Sequence, residues 1–329
     1  MMIGKEILYL SREDVQKVGM PMKECVDVLE GAHRAKSRGE VEMPEKPHLG
    51  GMQSSGFLEA FPARIPGDNS LGLKWLGGCR NNPAIGLPTV TGLIVVNDPD
   101  TWCPVAIMDC TYITGLRTAA MAGIVIRHLA KPHSEVVTVL GCGLQGRTHL
   151  EAAVCEMPDL RKVYAWGPRA DTVKRFASEM KETLGVDVTP IAEPETAVRE
   201  ADVLLSSTPF GAPDEYRMIR TDWLKPGLTV TPASQASHFF PDAFFAFDKY
   251  YVDDEPMISS VLQREGMPGL PPRPLWEIGD YLEGKRPGRE NGDERIFEYT
   301  NGVAINDIAV GKRVYERALA RGIGTMLPL

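Results

Sequence analysis

The segment that most constrains this chain is residues 136–146. Val136-Val137-Thr138-Val139-Leu140 is apolar almost throughout, as in a strand buried on both faces of a parallel sheet. It runs straight into Gly141-Cys142-Gly143-Leu144-Gln145-Gly146, and residues 147–157 read as a helix. This is G-x-G-x-x-G in the strand–turn–helix setting that gives the pattern its meaning. Gly141 permits the tight turn, Gly143 lets a pyrophosphate approach the backbone, and Gly146 lets the helix lie close to the strand. The free N–H groups and positive end of the helix then face the phosphates. Gly141, Gly143, Leu144, Gln145 and Gly146 are the expected dinucleotide contacts.

Downstream, strands at 162–166, 186–189, 203–207, 228–231 and 249–252 alternate with helices at 171–184 and 193–200. That rhythm builds a parallel sheet with right-handed crossovers. The second strand ends in Trp166-Gly167-Pro168-Arg169, without the Asp or Glu that holds a ribose 2′-hydroxyl. Arg169 can pair with a 2′-phosphate instead, so NADP(H) is favoured over NAD(H). The alternative is a solvated surface arginine.

The N-terminal part has a different pattern. A short strand at 7–10 precedes Ser11, which can cap a helix. A helix follows at 22–36. From 40 to 110, Gly and Pro interrupt short apolar runs, as in a curved antiparallel sheet. Helices return at 118–130 and 303–321, the last expected to pack back on the first domain. Residues 256–300, rich in Pro and Gly, take no assignment. The expected fold class is α/β: a Rossmann-type, doubly wound parallel sheet over 128–302, plus an N-terminal α+β substrate and dimerisation domain over 1–127, joined by 303–329.

Composition excludes several functions. A net charge of −8 argues against a nucleic-acid binder. The six cysteines show no C-x-x-C spacing and read as reduced thiols. His33, His48, His128, His133 and His149 have no metal-ligand spacing, so no metal is expected. Residues 1–10 are too short and polar for a secretory signal, and no apolar run nears the ~20 residues that cross a bilayer. The expected location is the cytoplasm, away from membranes.

Further residues carry a resemblance over nearly the whole chain. Gly72-x-Lys74, Asn82 with Gly86-Leu87-Pro88, and Asp109 followed by Leu116-Arg117-Thr118-Ala119-Ala120 precede the glycine turn. Ala201-Asp202, Ser207-Thr208-Pro209, Gly302 and Asp307 follow it. In these the chain resembles the ornithine cyclodeaminase/μ-crystallin family. The resemblance implies a homodimer formed through the curved sheet, a Rossmann domain, and hydride exchange between nicotinamide and the α-carbon of an amino or imino acid. It also implies cofactor contacts at Thr118, Ser207 and Thr208.

Arg117 matches the family's substrate arginine, and a guanidinium fork grips a carboxylate bidentately. An ion pair with Asp109 is the structural alternative. Lys74 alternates with Leu73 and Trp75, and a lysine on the buried face of a sheet needs a reason. It can bind the carboxylate or protonate an imine nitrogen; otherwise it snorkels to the surface. Lys46 stands where the family usually has an arginine, keeping the charge but losing the fork. Phe57, Phe61, Trp75 and Phe239 are the expected side-chain pocket.

One departure matters. Ala236 falls where cyclodeaminases and related alanine dehydrogenases have an aspartate, so ring closure with ammonia loss is weakened. Ser234, Ser237 and His238 are possible substitutes, and His238 can act as acid or base. The expectation is an imine reductase or amino-acid dehydrogenase acting on a small amino or imino acid. The alternatives are a cyclodeaminase and a catalytically silent nucleotide-binding protein.

Overall fold

The computed structural model describes residues 2–50, 56–207, 217–263 and 267–329. The chain divides into two compact units, Met1–Arg117 with Gly302–Leu329, and Thr118–Asn301.

In the first unit, β1 (Glu6–Leu10) leads into α1 (Arg12–Val18) and α2 (Met22–Ser37). Ser11 starts α1 with a capping box: its hydroxyl accepts from the Asp14 amide, and the Asp14 carboxylate accepts from the Ser11 amide. Strands β2 (His48–Gly50), β3 (Gly56–Ile65), β4 (Ser70–Cys79), β5 (Val90–Asn97) and β6 (Pro104–Asp109) follow. The pairings β2–β3, β3–β4, β4–β5 and β5–β6 are antiparallel, whereas β1 joins β6 in parallel.

Register sets what the two faces of this sheet carry. Phe61, Lys74, Ile94, Met108 and Leu10 form one row across β3, β4, β5, β6 and β1, all buried. Because side chains alternate along a strand, Trp75 and Leu93 pair on the opposite face, 45% and 38% exposed. Lys74 is therefore a lone cation in an otherwise apolar row.

The helix α3 (Thr111–Leu129) carries the unit boundary within it, between Arg117 and Thr118. In the second unit, β7 (Val136–Leu140), β8 (Lys162–Trp166), β9 (Val188–Pro190), β10 (Val203–Ser206), β11 (Thr229–Pro232) and β12 (Lys249–Val252) alternate with α4 (Leu144–Glu156), α5 (Ala170–Leu184), α6 (Pro194–Glu200) and α7 (Pro241–Phe244). The 256–300 stretch supplies most of α8 (Glu255–Leu262), then β13 (Leu275–Glu277), α9 (Ile278–Leu282) and β14 (Ile296–Tyr299). The sheet order is β13-β12-β14-β11-β10-β7-β8-β9, all pairings parallel. Thus β14 inserts between β11 and β12, although it comes later in the chain than both. One core cluster of this unit is aromatic: Phe239, Phe244, Phe247, Tyr250, Phe297 and Tyr299 make mostly edge-to-face contacts.

The chain returns to the first unit in α10 (Ala304–Arg321), which packs on β3, β4, β5 and α2, and ends in β15 (Thr325–Pro328), antiparallel to β1. Residues 304–311 of α10 are all buried, so its start is a core helix and only its later turns are one-sided. Among the described residues, no helix is long and apolar enough to cross a membrane.

Candidate active site

The glycine turn is braced from three sides. The Gly141 amide donates to the Trp166 carbonyl at 2.9 Å, and Gly141 adopts φ +101°. Ser207 donates its hydroxyl to the Gly141 carbonyl at 2.8 Å and its amide to Leu140 at 2.7 Å. Arg147 donates to the carbonyls of Cys142 and Gly143 while its guanidinium pairs with Glu179 on α5. A Cβ on Gly146 would collide with the Gly141 carbonyl oxygen. A Cβ on Gly143 would meet nothing within 4 Å, so the space over that residue is open.

Gly143 is the N-cap of α4, and no side chain caps the helix. Its first amides are left for an outside acceptor, which fits the pyrophosphate of a dinucleotide. Leu144 is exposed at the first helical position, and the Gln145 side-chain carbonyl is buried without a hydrogen bond. Burial holds the His149 imidazole down at about 4; it stays neutral and binds the Gln145 backbone carbonyl. Arg169 is exposed at the N-cap of α5, beyond the tip of β8. Thr118 is half-buried on α3. Thr208 lies outside the described residues.

The cations of the first unit meet a carboxylate that the motif reading named only as a family marker. Asp307, on the first turn of α10, contacts Lys74 Nζ through Oδ2 at 2.7 Å and accepts from Arg117 Nε through Oδ1 at 3.1 Å. The Lys74 contact is a close ion pair, and an ammonium carries three N–H donors, so one carboxylate oxygen does not use them all. Lys74 is fully buried and Arg117 is 7% exposed. Burial lowers the Lys74 ammonium to about 8; Asp307 raises it and Arg117 lowers it further. Cys110 lies close enough to feel this cluster, but burial raises its thiol to about 11 and it stays protonated.

Gly302, at φ +82°, lies against the Arg117 guanidinium; a Cβ there would come within 2.5 Å of Nη1. Asp109 takes another partner, Arg12 at 3.4 Å, so the expected alternative pair with Arg117 is replaced by Asp307. Lys46 pairs with Glu59 at 3.4 Å, which also contacts His48 Nδ1 at 3.1 Å. The ammonium groups of Lys46 and Lys74 both lie over the Phe61 ring, 4.9 and 4.3 Å from its centroid.

Two expected pocket residues fall elsewhere. Trp75 is on the face opposite Lys74, and Phe239 is buried in the aromatic core of the second unit. Alternation along β4 already separates Trp75 from Lys74; Phe239 carried no signal of its neighbours in the sequence.

His238 is buried, with Nδ1 against Ser206 Oγ, and Ser206 also meets Ser234 Oγ at 2.9 Å. Burial pushes its imidazole down to about 3, so it is neutral at physiological pH. Ala236 adopts φ +62° and is 4% exposed within the apolar core. Among the described residues, no group of three His, Cys, Asp or Glu side chains is arranged to hold a metal ion.

A parallel sheet with an open, uncapped glycine turn defines a Rossmann-type dinucleotide-binding protein; its first unit adds a buried pair of cations around one carboxylate. The chain belongs to the ornithine cyclodeaminase/mu-crystallin family, whose sequence model matches residues 6–322. It is 32% identical to the alanine dehydrogenase of Archaeoglobus fulgidus over 333 residues, covering 98% of each chain. An archaeal alanine dehydrogenase dimer with bound NAD superposes with a TM-score of 0.85 at 32% identity, covering 98% of this chain and 99% of that one. The Thermococcus litoralis Δ1-pyrroline-2-carboxylate reductase, in complex with NADH and L-proline, gives 0.84 at 27% identity, over 97% and 99%.

Proposed function

We propose that this chain is an NAD(P)-dependent oxidoreductase that exchanges hydride at the α-carbon of a small imino or amino acid, as an imine reductase or amino-acid dehydrogenase. The observation that carries the reading is the Lys74–Asp307–Arg117 cluster, two buried cations around one carboxylate. A nicotinamide nucleotide, when bound, supplies or accepts the hydride. The amides opening α4 at Leu144 and Gln145, with Gly141, Gly143 and Gly146, hold its pyrophosphate. Thr118 is a further proposed contact, and Ser207 keeps the turn in shape. Arg117 grips the substrate carboxylate, and Lys46, itself paired with Glu59, is a further proposed contact with the substrate. Lys74 gives a proton to the substrate nitrogen as the C=N bond is reduced, and takes one back in the oxidative direction. Positioning and charge complementarity account for most of the acceleration. His238 enters only as a neutral imidazole.

NADP(H) is the proposed partner of choice, supported by the absence of a carboxylate at 167–169 and by exposed Arg169. NADPH should bind at least about tenfold tighter than NADH, and Arg169→Ala should erase the difference, as loss of an arginine–phosphate contact does. A cyclodeaminase reading is not favoured, because Ala236 has no proton to exchange and is packed in the core.

A homodimer is proposed from the exposed apolar face carrying Trp75 and Leu93. Cytoplasmic residence is proposed from six free cysteines.

The test is nucleotide binding by calorimetry, followed by NADPH oxidation with a panel of cyclic imines and of 2-oxo acids plus ammonia. Turnover of a C=N substrate supports the reading. Binding without any turnover across the panel would leave the catalytically silent protein instead.

A further inference from the structure

The segment after β11 is strained. Gln235 and Ala236 are adjacent non-glycine residues in the left-handed region, at φ +52° and +62°. Such residues adopt it only where their surroundings impose it. Here Ser234 Oγ donates to the Ser206 carbonyl at 3.2 Å, and Ala236 is buried in the aromatic core cluster. The His238 carbonyl accepts from the amides of Met218 and Ile219 at 2.9 and 2.8 Å. The Gln235 side chain is tied down as well. Its Nε2 donates to Asn301 Oδ1, and the Asn301 amide donates to Asp253 Oδ2 at 3.1 Å. Its carbonyl oxygen, Oε1, is buried and accepts no hydrogen bond among the described residues. A buried acceptor without a donor is costly, and an amide held by its nitrogen is not free to turn toward water. Strain and an unmet acceptor therefore coincide at one residue.

The place of Gln235 in the sheet points to the donor. Strands β11, β12 and β14 are parallel, so Gln235, Asp253 and Asn301, which follow them, lie along one carboxyl edge of the second unit. A doubly wound sheet takes a dinucleotide across this edge, one mononucleotide half on each side of the switch point. The glycine turn follows β7 and Arg169 follows β8, which assigns the adenosine half to β7, β8 and β9 and leaves β10, β11 and β14 for the nicotinamide half. Strand β11 lies two strands, about 10 Å, from β7, and Asn301 draws Gln235 further along toward β14. That is the far end of the nucleotide from the pyrophosphate, where the donor is the carboxamide of the ring.

We propose that Gln235 recognises the nicotinamide carboxamide: Oε1 accepts its N–H, and Asn301, itself fixed on Asp253, holds the Gln235 amide in that orientation. The proposal rests on the dinucleotide reading above and adds a residue that the glycine pattern does not include. A carboxamide held on one side fixes the rotation of the ring about its bond to ribose, so one face of C4 is offered for hydride transfer.

The test is calorimetric titration of the full chain with three nucleotides: NADP+, its 3-acetylpyridine analogue, and 2′-phospho-ADP-ribose. The analogue carries a methyl ketone without an N–H, and the third has no ring. The same comparison with NAD+, its 3-acetylpyridine analogue and ADP-ribose makes the result independent of which nucleotide the chain prefers. The wild type should bind the carboxamide nucleotide at least about tenfold more tightly than the ketone, the scale of one buried acceptor gaining its donor. Gln235→Gly removes the acceptor and tolerates the left-handed backbone, so the loop keeps its shape. It should bring the carboxamide nucleotide down to the affinity of the ketone and leave the other two nucleotides near their wild-type values. Gln235→Glu keeps an acceptor oxygen at the same reach and should retain the preference. Asn301→Ala frees the amide to turn and should narrow it.

The proposal is overturned if the wild type binds carboxamide and ketone alike, if Gln235→Gly leaves the preference standing, or if Gln235→Glu abolishes it. It is also overturned if Gln235→Gly weakens all three nucleotides equally, as a purely structural loop or a contact to ribose would. A full preference in Asn301→Ala would remove the hold assigned to Asn301. If none of the three binds the wild type in either series, the dinucleotide reading itself falls, and this proposal with it.

Discussion

Glu298, on β14 within the second sheet, is buried, and both burial and the nearby Asp253 carboxylate raise its pKa to about 8. Its unfolded value is near 4.5, so between those values the folded chain holds a proton that the unfolded chain has released. Stability contributed by the neutral carboxyl is then lost as pH rises from about 4.5 to 8. Glu298→Gln should flatten that dependence and raise the melting temperature at pH 8 relative to pH 5 by a few degrees, at about 1.5 °C per kcal/mol in a chain of this size. Scanning calorimetry at both pH values checks it; an unchanged difference between them refutes it. Lys74 makes the corresponding prediction for chemistry. With its ammonium near pH 8, kcat/KM for reduction should fall above that pH, and Lys74→Met should cost at least about a hundredfold in kcat, as loss of a general acid does. At this scale Lys74 was legible, because a cation in an alternating apolar run is anomalous by itself. The pairing of Arg117 was not: Asp109 is close in sequence, whereas Asp307 comes from a helix nearly two hundred residues away.

The glycine turn depends on contacts between elements. Gly146→Ala drives a methyl group into the Gly141 carbonyl and separates α4 from β7. Nucleotide affinity should drop by at least about tenfold, because the turn carries the amides proposed to hold the pyrophosphate. Fluorescence titration with NADPH measures this, and wild-type affinity would refute it. Most elements were legible from period and punctuation. The exceptions include α8, β13, α9 and β14, in the Pro/Gly-rich stretch 256–300 that took no assignment, and among them β14 has four residues, Ile296–Tyr299. A strand that short has too few residues to show a period. It is specified by the slot between β11 and β12, whose edges it completes.

For the whole molecule, the exposed face of the first sheet is the feature that calls for a partner. Trp75 and Leu93 oppose each other across β4 and β5, and Tyr9 on β1 is also exposed. Leu93→Asp should turn a dimer into a monomer in light scattering without lowering nucleotide affinity in the second unit. A wild-type monomer at micromolar concentration would refute the proposed assembly. The cysteine count and charge limited the class of protein from composition, but they say nothing of which face is left open. That follows only once alternation, register and the seat of α10 are known together.

Local rules were enough for what is written locally. A buried strand, a glycine turn and a helix are adjacent in the chain, so their joint meaning is a matter of spacing, and the alternating units beyond them settle the sheet. The cradle is assembled otherwise. Lys74, Arg117, Gly302 and Asp307 come from a strand, a helix, a turn and the final helix, and their charges interact only when the chain folds back on itself. Coulombic coupling depends on distance in space, so tertiary structure alone decided that the two cations share one carboxylate.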